Sequence, residues 1–168
     1  AVYPGSFPSL VYEATSADEF GDHILFAGSS RNLHSVELSL TNWSCENDFD
    51  NVGGVWVPNR DGNAGEACAT NPGSTFSHPV TLNIYEVDNS GVDPAVGNLI
   101  VSVTKSFDIP FRPSWDSVNC TASGQTPATN IPFGGKWYDP VLGACVNGYA
   151  FNITFDFTAL NVVLPEEA

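Results

Sequence analysis

The side chains most able to do chemistry in this chain are carboxylates, with 19 Asp and Glu against 5 Lys and Arg. Glu46, Asp48 and Asp50 alternate along the stretch that begins at Cys45 and ends at Gly53-Gly54. Alternate carboxylates with nearby carbonyls can supply the roughly six to eight oxygens that calcium takes. This makes Glu46, Asp48 and Asp50 a candidate calcium site and calcium the one cofactor the residues suggest. The stretch lacks the full spacing of a calcium loop and its closing bidentate glutamate, so plain solvated polarity is the competing reading. Asp61-Gly62-Asn63 and the turn from Asp88 to Asp93 are further acidic loops. A glycosidase needs only two carboxylates that meet in space, and this chain offers too many pairs to single one out. Histidines stand at 23, 34 and 78. Ser77-His78 is adjacent in sequence, but there is no GxSxG elbow, and Pro79 with the strand after it makes the pair a strand entrance. No catalytic residue is assigned.

Aromatic residues offer a second chemistry. Pyranose faces stack on exposed indoles and phenols, so Trp56, Trp115, Trp137 and Tyr138, all in loop-like sequence, are candidate ligand-binding residues for an extracellular glycan. The competing reading has them plugging the ends of a sandwich or covering disulfides. Gly134-Gly135 is not a phosphate cradle, because no GK[ST] follows it and no βαβ pattern surrounds it.

The four cysteines are Cys45, Cys68, Cys120 and Cys145. An even count in an acidic chain reads as two disulfides. Three pairings are open. Cys45 with Cys68 and Cys120 with Cys145 is favoured, because each pair brackets one irregular Gly/Asn/Pro-rich segment. Closing loops of this size stabilises by roughly 3 kcal/mol each in the chain-entropy picture. Without CxxC or HxxxH spacing, zinc is set aside.

The elements that would position these residues are strands. Val36, Leu38 and Leu40 alternate with polar neighbours. Val80, Leu82 and Ile84 do the same, as do Leu99, Val101 and Val103, and Phe151, Ile153, Phe155 and Phe157. Period two over four segments predicts half-buried antiparallel strands. Shorter candidates are 23–27, 54–57, 106–111 and 160–164. With 15 Gly and 12 Pro breaking the chain, no window carries a helical stripe. The expected fold is all-β, an antiparallel sandwich of jelly-roll type with two disulfides, forming one domain over 1–168.

Net charge of −14 and no basic cluster exclude nucleic acid as a partner and disfavour anionic membranes. No run approaches the ~20 apolar residues of a membrane span. The chain holds no methionine and its start has no signal-peptide pattern, so removal of a leader by processing is expected. Three N-x-S/T sequons mark Asn42, Asn119 and Asn152 for glycosylation. Asn152 and Thr154 share the polar face of their strand. Asn42 has the parity of Leu40, and reaches solvent only if its strand ends or bulges near Trp43.

The first eleven residues are extended and Pro-interrupted, with Val2, Tyr3, Phe7 and Leu10 as apolar anchors. Such an arm can fill the open sheet edge of another copy, and head-to-tail contacts of that kind make filaments; the competing reading has the arm packing on its own domain.

The run from Ser9 through Glu13-Ala14-Thr15-Ser16 to Glu19-Phe20-Gly21-Asp22, the run Thr75-Phe76-Ser77-His78-Pro79-Val80-Thr81-Leu82-Asn83-Ile84-Tyr85 and the run Asn152-Ile153-Thr154-Phe155-Asp156 together resemble a group of secreted, largely uncharacterised microbial β-sandwich proteins. The resemblance implies secretion and a β-sandwich and brings no catalytic residues. It also implies that further strand sequence follows a segment like 160–167, which leaves two readings open: this chain is truncated there, or the missing strand comes from elsewhere. The leading expectation is a non-catalytic extracellular structural or surface subunit that polymerises into a filament by strand exchange with copies of itself. A carbohydrate-binding module using the loop tryptophans is the alternative, and a secreted hydrolase the third reading.

Overall fold

The computed structural model describes residues 19–26, 29–52, 55–58, 67–121 and 135–166, without the side chains of 48–52 and 55–58. Val2, Tyr3, Phe7 and Leu10 of the expected arm lie outside the described residues.

Among the described residues, eight strands follow one another: β1 (Ser35–Asn42), β2 (Phe49–Val52), β3 (Val55–Pro58), β4 (Thr75–Asp88), β5 (Ala95–Pro110), β6 (Trp137–Asp139), β7 (Ala144–Val146) and β8 (Tyr149–Asp156). They form four two-stranded sheets: β1 with β8, β2 with β3, β4 with β5, and β6 with β7. The β2–β3 ladder runs from Phe49↔Pro58 to Val52↔Val55, and the β6–β7 ladder from Trp137↔Val146 to Asp139↔Ala144, both antiparallel. Among the described residues the only helical turns are two 3-10 turns, Glu46–Asp48 and Thr158–Leu160. Both expected disulfides are formed, with Cα–Cα distances of 5.5 Å for Cys45–Cys68 and 5.8 Å for Cys120–Cys145. The fold is thus all-β, antiparallel and cross-linked twice.

The chain divides into two compact units. One contains Ser39–His78 and Ser106–Ile153. Its interior is built from both disulfides with Ile109, Phe111, Trp137 and Ile153, and it encloses one charged side chain, Arg112. Phe76 lies against Phe111 at a ring-centroid distance of 4.9 Å. Gly148 approaches Trp43 and Thr41 so closely that a Cβ there would overlap both.

The other unit contains Pro79–Lys105 and Thr154–Ala168, with residues up to Leu38. Phe155, Phe157, Val162 and Leu164 are buried. Each apolar side chain of that kind stabilises by about 1.5–3 kcal/mol when removed from water. After β8 the chain turns sharply. The Asp156 carboxylate accepts the Thr158 N–H at 2.8 Å, Thr158–Leu160 forms a single 3-10 turn, and Asn161 takes a left-handed conformation with φ of 49°, which Asn tolerates better than most residues. Val162, Val163 and Leu164 then run antiparallel to Arg31, Asn32 and Leu33. The Leu33 N–H donates to the Val162 carbonyl at 2.9 Å and the Leu164 N–H to that of Arg31 at 2.8 Å. The expected strand over 160–164 is therefore a turn and one bridge, Asn32↔Val163, because the left-handed residue at 161 breaks the extended run. Of the candidate strand at 23–27, residues 23–26 hold one bridge residue, Leu25, and Ala27 lies outside the described residues. The candidate at 106–111 is absorbed into β5 through Pro110.

Within this second unit the side-chain bonds between β4 and β5 imply a change of register by one residue. Thr81 and Thr104 hydroxyls bond across the pair at 2.8 Å, and Ser102 donates to Asn83 at 2.6 Å. Continuing that register would set Glu86 opposite Leu99, yet Glu86 accepts instead from Asn98 at 2.9 Å. On β5 the adjacent residues Ile100 and Val101 are both half-buried, whereas strict alternation would expose one of them. An extra residue on β5 between Leu99 and Val101 accounts for both observations. It also moves Leu99, expected on the face of Val101 and Val103, out to 54% exposure.

Candidate functional site

In the first unit a set of polar groups converges on Arg112. It follows the apolar end of β5, Ile109-Pro110-Phe111, and Pro113 after it prevents strand continuation. The guanidinium is 0% exposed. Its Nε donates to Cys45 Sγ at 3.0 Å, Nη1 to the Asn147 carbonyl at 2.9 Å and Nη2 to the Gly135 carbonyl at 2.6 Å. The Arg112 backbone N–H donates to Ser44 at 3.1 Å. A buried guanidinium is tolerated only when its donors are satisfied. Here they join the Cys45–Cys68 loop to the chain on either side of β6 and β7, where Cys145 holds Cys120. Arg112 belongs to no motif in the sequence. The available signal was a lone cation in an apolar, proline-flanked stretch.

Beside Cys45 lies a shallow polar depression of about 320 Å³, lined by Glu46, Asn47, Ala69, Thr70, Asn71 and Ser114. Its groups are engaged with one another. Asn47 donates Nδ2 to the Ala67 carbonyl at 3.1 Å and accepts the Ala69 N–H at 3.0 Å. Ser114 Oγ accepts the Thr70 N–H at 2.9 Å and donates to the Thr70 carbonyl at 3.0 Å. The Glu46 carboxylate accepts the Asn71 N–H at 2.7 Å. That bond holds its pKa below the ordinary value, against some loss of hydration, with side-chain hydrogen bonds from Ser74 and Asn71 adding to it. Glu46 is thus an ionised acceptor that fastens a loop, unsuited to proton donation near neutrality. Of the candidate calcium ligands only its side chain is described; those of Asp48 and Asp50 lie outside the described residues. Among the described residues, no three His, Cys, Asp or Glu side chains group as a metal site.

A second carboxylate, Asp116, organises the approach to the other disulfide. It accepts the backbone N–H groups of Val118 at 2.9 Å and Asn119 at 2.8 Å, and the Asn119 Nδ2 at 2.8 Å. The Asn119 side-chain bond is the largest cause of its lowered pKa, followed by the backbone bonds from Asn119 and Val118. Cys120 then returns its N–H to the Asp116 carbonyl at 3.0 Å.

The aromatic candidates separate. Trp137 is 8% exposed, donates Nε1 to the Gly148 carbonyl at 3.0 Å and meets the Tyr149 ring edge-on at 5.7 Å. An indole so enclosed is core and has no face free for a sugar, which corrects its candidacy as a stacking platform. Trp115 is half-buried and donates Nε1 to the Cys120 carbonyl at 3.1 Å, while its N–H donates to Cys68 at 3.0 Å, so it covers the disulfide region. Tyr138 is 37% exposed. The backbone of Trp56 pairs with Asn51; its side chain is outside the described residues.

The three sequon asparagines also differ. Asn42 is half-buried where β1 ends, donating Nδ2 to the Pro110 carbonyl at 2.9 Å and accepting the Ser44 N–H at 3.0 Å. Asn152 is half-buried within β8 and accepts Ser39 Oγ at 2.9 Å. Asn119 is exposed.

In the second unit Glu19 is gripped by the hairpin. Asn83 Nδ2 donates to it at 2.7 Å and Tyr85 OH at 3.2 Å. Desolvation first, then the Glu19 charge and hydrogen bond, raise the Tyr85 pKa above its usual value. The histidines occupy separate local settings. His78 meets the Phe76 ring edge-on, the His34 carbonyl accepts the Phe157 N–H, and the His23 N–H donates to Asp22.

Comparison of the chain with family models, with curated proteins and with solved structures found no match.

Proposed function

We propose that the chain is a non-catalytic, secreted structural or surface subunit that assembles with copies of itself by strand addition. The two formed disulfides support an oxidising compartment, and no helix among the described residues is long and apolar enough to cross a membrane. The observation that carries assembly is the distal part of the β4–β5 hairpin. In a chain of net charge −14, Val92 is 102% exposed at its turn, and Val96 and Leu99 on β5 are 74% and 54% exposed. Apolar side chains left exposed on both faces at one end of a long two-stranded sheet fit a contact with another polypeptide better than contact with water. The occupant is the arm of a neighbouring copy, its backbone adding along β5 and Val2, Tyr3, Phe7 and Leu10 supplying the apolar contacts. The polar groups support the same reading: Arg112, Glu46 and Asp116 are spent on holding loops.

Size-exclusion chromatography and electron microscopy of the oxidised protein test this. Polymers are expected. Deleting residues 1–9, or replacing Val96 with Lys, shifts them to monomer. A protein that stays monomeric at high concentration, or polymers untouched by either change, rejects the reading.

A further inference from the structure

We propose that Asn119 is the residue of this chain that accepts an N-linked oligosaccharide, and that Asn42 and Asn152 stay unmodified in the folded protein. The inference rests on secretion and not on assembly. The three sequons are equal as sequence; what distinguishes them is whether the folded product can carry the sugar.

In the transfer, the Asn Nδ2 forms a bond to the anomeric carbon of an oligosaccharide carried on a polyprenyl diphosphate. The bond from that carbon to the diphosphate oxygen breaks, the lipid diphosphate leaves with the electron pair, and the amide gives up one proton. The product amide keeps a single hydrogen. At Asn119 this hydrogen can remain on Asp116 Oδ2, now 2.8 Å from Nδ2, while the saccharide projects from an exposed turn. The turn itself is held by backbone bonds from Val118 and Asn119 to Asp116 Oδ1, which the modification does not touch. Thr121, the hydroxyl residue of the sequon, is also exposed.

Asn42 differs in burial. One of its Nδ2 hydrogens is held by the Pro110 carbonyl at 2.9 Å, as one is held at Asn119, but Asn42 is half-buried with its Oδ1 accepting the Ser44 N–H at 3.0 Å, so a saccharide on the other hydrogen would crowd the end of β5. Asn152 is half-buried within β8, with its Oδ1 accepting Ser39 Oγ of the neighbouring strand; that bond fixes the amide against the paired strands, where a saccharide on Nδ2 would have to lie across them.

The full chain secreted from a glycosylating eukaryotic host tests this by intact mass and peptide mapping, before and after peptide N-glycosidase. One oligosaccharide on the Asn119 peptide is expected, lost in Asn119→Gln and equally in Thr121→Ala, which leaves the asparagine and its bonds to Asp116 in place. An unmodified Asn119 in the secreted protein, or a sugar mapped to Asn42 or Asn152, overturns the proposal. Chromatographic assembly of the Asn119→Gln variant is read separately, so failure here is distinguishable from failure of the assembly reading.

Discussion

Arg112 Nε sits 3.0 Å from Cys45 Sγ in a fully enclosed setting. The guanidinium therefore acts as a three-way tie, using one donor on a disulfide sulfur and two on the carbonyls of Asn147 and Gly135. Removing it leaves those acceptors buried and opens a cavity the size of a long side chain. Arg112→Ala is expected to destabilise by about 3–5 kcal/mol or to prevent folding. Arg112→Lys keeps the charge but not the planar fork, and should recover only part of the loss. Urea titration of the oxidised proteins measures both; an Arg112→Ala midpoint equal to that of the parent would show that the tie contributes nothing.

The two disulfides close loops of sequence separation 23 and 25. In the chain-entropy picture, replacing either pair with serine costs about 3 kcal/mol. The two losses should not add, because Arg112 couples the loops and residues sharing one hydrogen-bond network interact energetically. Thermal melts of the two double variants and the quadruple variant test this. Strict additivity would mean that the Arg112 tie transmits no coupling.

How much of this was legible in the sequence depends on the range of the interaction. The strand faces at Val36, Leu38 and Leu40, and at Ile153, Phe155 and Phe157, follow from period two alone, since a pleated strand must put alternate residues on one side. The cysteine pairing followed from which irregular segments needed closing. Leu99 broke the pattern because a register step is a property of two strands, and Gly97 and Glu86 are distant in sequence. The segment 160–164 looked like a strand because its apolar residues permit one; the left-handed Asn161 is a local conformation that composition does not specify. Trp137 looked like a loop aromatic because its burial is produced by β7, Gly148 and Tyr149, none of which its neighbours announce. Arg112 was missed for the same reason: its partners lie 23 to 67 positions away.

Acid stability follows from carboxylates that the fold keeps ionised. Glu46, Asp88, Asp116 and Asp156 are all lowered, the last three chiefly by side-chain hydrogen bonds from Ser90, Asn119 and Thr158. A group whose folded pKa lies below its unfolded value contributes stability that is complete above the unfolded value and disappears as pH falls through the folded one. With unfolded references of 3.8 for Asp and 4.5 for Glu, the loss begins near those values and grows below them. Tyr85 has the opposite sign. Its raised pKa favours the neutral phenol, so its contribution is complete below 10.0 and is lost as pH climbs through the higher folded value. Urea midpoints across pH should fall at both ends. Asp116→Asn should flatten part of the acid limb and Tyr85→Phe the alkaline limb; an unchanged profile in either variant would remove that residue from the account.

The register step between β4 and β5 leaves no room for a side chain at Gly97. A Cβ placed there would stand 2.8 Å from the Glu86 carbonyl oxygen and 3.3 Å from the Asp88 nitrogen. Those atoms are backbone of the partner strand, so they cannot swing aside as a flexible side chain would. Gly73 differs: its φ of 82° strains an added side chain, but open space surrounds it. Gly97→Ala is therefore expected to cost about 1–3 kcal/mol through displaced backbone, and to move the Asn98–Glu86 contact that marks the step. Because Val96 precedes Gly97 and Leu99 lies two residues after it on β5, the same change should disturb the apolar end of the hairpin and weaken assembly beyond what the stability loss alone produces. Denaturant titration alongside chromatography at matched folded fraction separates the two effects. Full stability in Gly97→Ala would refute the close approach, and unchanged assembly in a destabilised variant would detach β5 from the contact between copies.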